Sequence, residues 1–232
     1  MIGLLDSGVG GPLCGLGAAR RFSLDDDGEV AEGPAEADPL GHGTAVAELI
    51  VERARGVPLF SAQVFDRRGL TSAAVVAAGL DWLVGQGVRI VNMSLGLTED
   101  RVVLAEACAR ARAAGVLLVA SVPAIGPLVF PAAYPGVVRV TGDARCQGEQ
   151  IARLDGTRAD FGANPWPDGN PGGRPRIAGA SVAAARVSGS LARLLVSEGS
   201  GEAACQALAA TAAHRGPQEI PGRSTERRGV AR

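Results

Sequence analysis

The sequence predicts an α/β fold of three layers, a mainly parallel central sheet flanked by helices. Three observations carry that expectation. Short apolar runs of strand length alternate with longer stretches of helical pattern. The first of them, residues 2–5, is a continuous apolar run, as strands covered on both faces are. The chain has 232 residues, of which 47% are hydrophobic and 20% charged, enough apolar material for one sizeable core.

The elements follow in order. Residues 2–5 are a buried-strand run closed by Asp6. Residues 25–38 read as an acidic loop, with Asp25, Asp26, Asp27, Glu29, Glu32, Glu36 and Asp38 and no basic residue between them. Residues 41–54 read as a helix with Ala45, Val46, Leu49 and Ile50 on its apolar face, and residues 58–65 as a strand. Thr71 and Ser72 are N-cap residues for a helix to about Val84, stopped near Gly85 and Gly87. Residues 89–95 are a strand. Thr98 caps the next helix, with Glu99 and Asp100 in its first turn and Gly115 at its end. Residues 116–120 and 137–141 are strands, because Pro123, Pro127, Pro131 and Pro135 break any helix across this uncharged region. Residues 162–176 are rich in Gly, Pro and Asn and irregular. A long helix runs from Ala180 to about Val196, and a last one over 202–213. The domain is drawn at 1–213, with 214–232 a basic tail carrying Arg215, Arg223, Arg227, Arg228 and Arg232.

Composition excludes several chemistries. The net charge of −1 gives no electrostatic footprint for nucleic acid. All 23 basic residues are Arg, so Schiff-base and Ser–Lys mechanisms are out. Any imidazole must be His42 or His214. Cys14, Cys108, Cys146 and Cys205 are scattered with no CxxC pair, which excludes a zinc ribbon and reads as free thiols in a reducing compartment. The first residues carry neither a basic n-region nor an apolar h-region, so a cytoplasmic protein without membrane insertion is expected. Gly8, Gly10 and Gly11 follow the first strand, but the sixth position of a dinucleotide fingerprint falls on Leu13, and that motif fails.

Three segments carry chemistry: Leu4-Leu5-Asp6-Ser7-Gly8-Val9, Gly41-His42-Gly43-Thr44-Ala45-Val46-Ala47 and Gly179-Ala180-Ser181-Val182-Ala183-Ala184. Acyl transfer to water needs a nucleophile, a base near neutral pKa and a carboxylate that fixes the base. Ser181, His42 and Asp6 offer one of each. Taken singly, each has a plainer explanation as a turn, cap or surface residue. Together, in the order Asp, His, Ser on an α/β pattern, they form a constellation.

On these segments the chain resembles the subtilisin-like serine proteases. Val91-Asn92-Met93-Ser94-Leu95-Gly96 resembles the family's substrate-binding strand, and Phe130-Pro131-Ala132-Ala133-Tyr134-Pro135-Gly136-Val137 its proline-rich segment. The resemblance implies a subtilisin-like fold and a serine endopeptidase. It implies Ser181 as nucleophile, His42 as general base and acid, and Asp6 as the group that orients His42. It further implies backbone groups of Ser94 and Gly96 pairing with an extended substrate, Leu95 in a pocket wall, and Val129 at the base of the first pocket, where the family often has glycine and where valine favours a small P1 residue. No metal or organic cofactor is implied.

The chain departs from the family where an Asn side chain usually completes the oxyanion hole. Aligned on the strand and on Gly126-Pro127, that position is Ala124, and the family's Gly-Thr-Ser reads Gly179-Ala180-Ser181. Loss of such a donor costs about 10²–10³ in turnover. Either Asn164 or Asn170 substitutes, or the enzyme is slow and leans on the Ser181 amide. The expected partner is a peptide or precursor protein, cut in restricted processing such as removal of a leader in the cytoplasm. A catalytically dead peptide-binding chaperone and an esterase or transpeptidase with the same triad are the alternatives. The acidic stretch up to Asp38 attracts basic substrate residues or is simply a solvated loop.

Overall fold

The computed structural model describes residues 1–13, 15–156, 158–167 and 177–220. Its centre is β1 (Ile2–Asp6), buried along its whole length. The hairpin β2 (Leu16–Leu24) and β3 (Val30–Pro34) follows, then α1 (His42–Arg53), β4 (Leu59–Gln63), α2 (Ala73–Gly85), β5 (Ile90–Met93) and α3 (Val102–Ala113). The chain continues with β6 (Leu117–Ser121), β7 (Val138–Gly142), β8 (Ile151–Arg153), β9 (Phe161–Ala163), α4 (Ala180–Glu198), α5 (Gly201–Ala210) and β10 (His214–Arg215).

The ten strands form one sheet in the order β10-β8-β9-β7-β6-β5-β1-β4-β2-β3. From β9 to β2 every pairing is parallel. Only β3 and β8 run antiparallel to their inner neighbours. One face is covered by α1, α4 and α5 through a core of Ile2, Leu4, Val46, Ile50, Val187 and Leu191. The other is covered by α2 and α3 through Leu5, Leu80, Leu83, Val91, Leu104 and Leu118. A strand sandwiched this way buries both of its sides, so β1 and β5 have no polar alternation. The fold is the expected three-layer α/β arrangement, and its parallel strands end along one edge, where sites of such sheets lie.

Three details differ from the expectations, and one cap is decided between two candidates. The acidic stretch is half hairpin: β2 pairs with β3, Arg20 meets Glu32 at 3.2 Å, and only the tip at Asp25–Glu29 is a turn. The edge strand β3 and its partly exposed neighbour β2 carry little apolar period, which hid them. Thr98 does not cap α3, which starts four residues later, and Asp100 instead accepts a 2.9 Å hydrogen bond from Tyr134 Oη. Of the two residues expected to cap α2, Ser72 does so, its Oγ accepting from the Val75 amide at 3.2 Å. Residues 214–220, drawn as the start of a tail, are joined to the sheet: β10 pairs with β8, and the Ala144 amide donates to the Glu219 carbonyl at 2.8 Å. Arg223, Arg227, Arg228 and Arg232 lie outside the described residues, as does Cys14.

Candidate active site

Asp6 ends the central strand, so its carboxylate sits at the carboxyl edge of the sheet, fully buried. Its Oδ1 accepts from the Ser7 amide at 2.8 Å and meets His42 Nδ1 at 2.7 Å. Oδ2 has no hydrogen-bond partner among the described residues. The His42 side chain is 29% exposed while that of Asp6 is 1% exposed, so the imidazole is partly open and the carboxylate is not. A carboxylate at Nδ1 takes the Nδ1 proton and leaves Nε2 as the free base. Burial pulls the imidazole pKa down, but the hydrogen bond from His42 to Asp6 and the charges of Asp6 and Asp38 more than offset it. The result lies above the ordinary 6.5.

The start of α1 is built to bring His42 to that carboxylate. Gly41, the N-cap, has φ of 70°, a left-handed conformation suited to glycine, and offers no capping side chain. Asp38 does the capping instead, its Oδ2 accepting from the Thr44 amide at 2.8 Å. Gly43 lies against the turn after β1: a Cβ there would collide with the Gly8 carbonyl oxygen and stand 3.0 Å from the Gly8 nitrogen. The turn itself is fixed by Gln63, whose Nε2 donates to the Ser7 carbonyl at 2.9 Å.

Ser181 lies in the first turn of α4, half-buried, where its amide is among the helix N–H groups without an intrahelical partner. Gly179 precedes it with φ of 77°, and its amide donates to the Pro165 carbonyl at 2.7 Å. The first turn is thereby tied to the chain leaving β9, at the same carboxyl edge as Asp6. Farther along, α4 crosses α1 so closely that a Cβ on Gly189 would stand 2.8 Å from the Ile50 carbonyl oxygen. Ser188 lies two turns beyond Ser181 on the same helix face. Its Oγ donates to Asn92 Oδ1 at 2.9 Å, and Asn92 Nδ2 donates to Ser94 Oγ at 3.0 Å. This buried chain fixes the height of α4 over β5. The structure therefore bonds Asp6 to His42 and sets Ser181 at the head of the neighbouring helix.

Ser94 and Leu95, just past β5, are buried, and Gly96 is exposed. Leu97 exchanges two backbone hydrogen bonds with Phe130, at 2.7 and 2.8 Å. That bridge presses Val129 onto the strand: a Cβ on Gly96 would stand 2.7 Å from Val129 Cγ2. Space beside Gly96 is thus filled by the valine. In the loop after β6, Ala124 contributes only a methyl group. Its carbonyl accepts from Gln218 Nε2 at 3.2 Å, and the Pro123 carbonyl from Arg158 Nη1 at 3.4 Å. Asn164 lies beside the Pro165–Gly179 contact, and its Oδ1 accepts from the Trp166 amide at 3.0 Å. Asn170 lies outside the described residues.

Two contributors escaped the sequence reading. Asp38 was absorbed into an acidic run, although its place four residues before His42, next to a glycine that cannot cap, is a signal of a remote cap. Gln218 carries no local signal at all, since only sheet topology brings it to Ala124. No group of three or more His, Cys, Asp or Glu among the described residues is placed to hold a metal. No helix among them is long and apolar enough to cross a membrane.

A family model described as the subtilase family matches residues 1–224. The minor extracellular protease Epr of Bacillus subtilis is 32% identical over 176 residues, covering 70% of this chain and 26% of that protein. A thermostable alkaline protease of Halalkalibacterium halodurans is 36% identical over 122 residues, 48% of this chain and 34% of that protein. The chain thus spans about a quarter to a third of these relatives. Among solved structures, fervidolysin from Fervidobacterium pennivorans, a keratinolytic enzyme related to subtilisin, superposes with a TM-score of 0.62 at 24% identity, over 84% of this chain and 36% of that one. A psychrophilic protease does so with a TM-score of 0.68 at 20% identity, over 90% and 81%.

Proposed function

The chain belongs to the subtilase family, and from that membership we infer that it is a serine endopeptidase acting through an acyl-enzyme on Ser181. The observation that carries this reading is the 2.7 Å contact between a buried Asp6 and Nδ1 of a partly exposed His42, which leaves Nε2 as the free base. Ser181 Oγ attacks the scissile carbonyl carbon while His42 Nε2 takes its proton. Asp6 holds the imidazole and stabilises the imidazolium. The negative charge on the carbonyl oxygen falls to the Ser181 amide, with Asn164 as a second donor beside the same turn. Collapse of the tetrahedral adduct breaks the C–N bond, and His42 returns the proton to the leaving amine. Water then repeats the sequence on the ester, releasing the acid and restoring Ser181.

The role we propose is restricted processing with a small P1 residue, such as removing the leader of a modified precursor peptide like that matured into quinohemoprotein amine dehydrogenase. Val129 packed beside Gly96 supports a shallow first pocket. The methyl group of Ala124 supports slow turnover that depends on tight substrate positioning. A reducing, cytoplasmic location is supported by Cys108, Cys146 and Cys205, all free. Burial pushes the first two thiols up to about 12 and the third to about 11, which leaves them unreactive.

Ala124 and Ala180 also favour a second reading, a peptide-binding protein with little or no hydrolysis. An esterase using the same triad would need less help at the oxyanion. A fluorophosphonate probe read by intact mass decides among them. One adduct on the wild type, absent from Ser181→Ala and His42→Ala, is the expected result, followed by cleavage of precursor peptides at a single bond. No adduct on folded protein, with and without a precursor peptide, refutes the enzyme. Labelling with ester turnover and no peptide cleavage establishes the esterase.

A further inference from the structure

We propose that Asp38 is a positioning carboxylate of this site, acting on His42 through Ser7 and the first turn of α1. The inference rests on the proposed triad and deepens it. Asp38 is partly exposed, yet both of its oxygens are committed. Oδ1 accepts from Ser7 Oγ at 2.8 Å and from the Leu40 amide at 3.0 Å. Oδ2 accepts from the Thr44 amide at 2.8 Å and from Thr44 Oγ1 at 2.7 Å. The carboxylate therefore grips the chain on both sides of His42. Thr44 Oγ1, in turn, accepts from the Gly10 amide at 2.9 Å, which ties the helix start to the turn that follows Asp6.

Ser7 is the link between the two acids. A hydroxyl has one proton to give. Ser7 Oγ accepts from the Gly43 amide at 2.9 Å and has two carboxylate oxygens in reach, Asp38 Oδ1 at 2.8 Å and Asp6 Oδ1 at 3.3 Å. The shorter contact takes the proton. Asp6 Oδ1 is then spared a competing donor, and its charge is directed at His42 Nδ1. An uncharged residue at 38 would release the Ser7 hydroxyl to Asp6 and weaken that pull. Asp38 also acts directly: the charges felt at the imidazole are those of Asp6, from β1, and Asp38, from the segment before α1. The facing first turn of α4 carries no acidic residue and, in Ala180-Ser181-Val182-Ala183, no basic one. Hydrogen bonds from Thr44, Ser7 and Leu40 outweigh the burial of Asp38 and keep it ionised below the ordinary carboxylate range.

The test is a proton-NMR titration of the imidazole C–H resonances in the intact chain, with His42 assigned by its loss in His42→Ala and His214 as internal reference. Asp38→Asn is expected to lower the His42 midpoint by about half a unit to one unit, less than the shift of about 1–3 units from an opposite charge in contact, because Asp38 is partly exposed and acts on His42 in part through Ser7. His214 stays fixed. Asp38→Glu, which disturbs the cap as much but keeps the charge, recovers most of the shift. A plain helix cap would make these two variants alike. Asp38→Ser, which returns a neutral capping oxygen to Thr44, carries the same expectation as Asp38→Asn and replaces it where the amide does not fold. An unchanged His42 midpoint in a folded neutral variant, or equal midpoints in the Asn and Glu variants, overturns the proposal. Fluorophosphonate labelling of the wild type is read separately: its failure refutes the proposed hydrolase, whereas the titration reads Asp38 with or without turnover.

Discussion

Replacing Gly43 by alanine sets two physical arguments against each other. Helix propensity alone predicts a gain of at most about 1 kcal/mol, since glycine in a helix is that much worse than alanine. The packing predicts the opposite sign. The new methyl would overlap the Gly8 carbonyl oxygen, with the Gly8 nitrogen at 3.0 Å and Asp6 Cβ at 3.1 Å. Two of the three are backbone atoms, which cannot rotate away, so α1 must move off the end of β1. Overpacking of this kind costs about 1–3 kcal/mol, and rigid neighbours place it at the upper end. Against the propensity gain, the net loss is about 2 kcal/mol, or about 4–8 °C in a chain of this size. The displacement also stretches the 2.7 Å contact between Asp6 and His42. A shift of about 1 Å there lowers turnover by about a hundredfold. Thermal unfolding and the second-order rate of fluorophosphonate labelling measure the two effects. A variant as stable as the wild type and labelled at the same rate would show that the approach of α1 to β1 is not what positions the pair.

Other substitutions probe the remaining parts. Val129→Gly should open the space beside Gly96 and move the preferred P1 residue from small to large, read by cleavage of a peptide library. Labelling of the wild type should rise about tenfold per pH unit on the acid side and level off above a midpoint higher than 6.5, because only neutral His42 accepts the serine proton. The sign for stability is the reverse. The charged His42–Asp6 pair stabilises most below the unfolded histidine pKa, and that contribution fades as pH rises through the raised folded value, which unfolding curves across that window will show. Gln218→Ala removes the 3.2 Å bond to the Ala124 carbonyl. It should cost about 0.5–1.5 kcal/mol, with a fall in kcat larger than any rise in KM if the loop serves the oxyanion.

What could be read from residues alone was whatever is buried on both faces. The runs at β1, β5 and β6 are mostly apolar and buried, and stood out, as did α4 with its long row of small residues. The edges did not. β2 and β3 form a partly exposed hairpin in which the adjacent Arg20 and Arg21 leave no clear period, and β8 and β9 have three residues each, too few to show one. The site follows the same division. Asp6, His42 and Ser181 could be named because each sits in a segment of distinctive composition. Asp38 could not be separated from its acidic neighbours, because its role depends on the path from Pro39 to Gly41. Gln218 reaches Ala124 only because β10 adds to the outer edge of the sheet, a pairing that two residues cannot announce.

The strand order also has a meaning in time. β1 precedes both of its neighbours in the chain, so it has no partner until β4 is made and is not enclosed until β5 is. Asp6 and His42 come early, whereas Ser181 heads a helix that completes the core and arrives late. Pairings this distant in sequence make folding slow and leave apolar surface open while it proceeds. A nascent chain therefore holds the proposed base and its carboxylate before the proposed nucleophile, and the first copies to finish coexist with copies still open. If the proposed hydrolysis extends to unfolded copies of the chain, loss of young molecules to mature ones would grow with the square of expression level. A variant with Ser181 replaced would accumulate in proportion to synthesis.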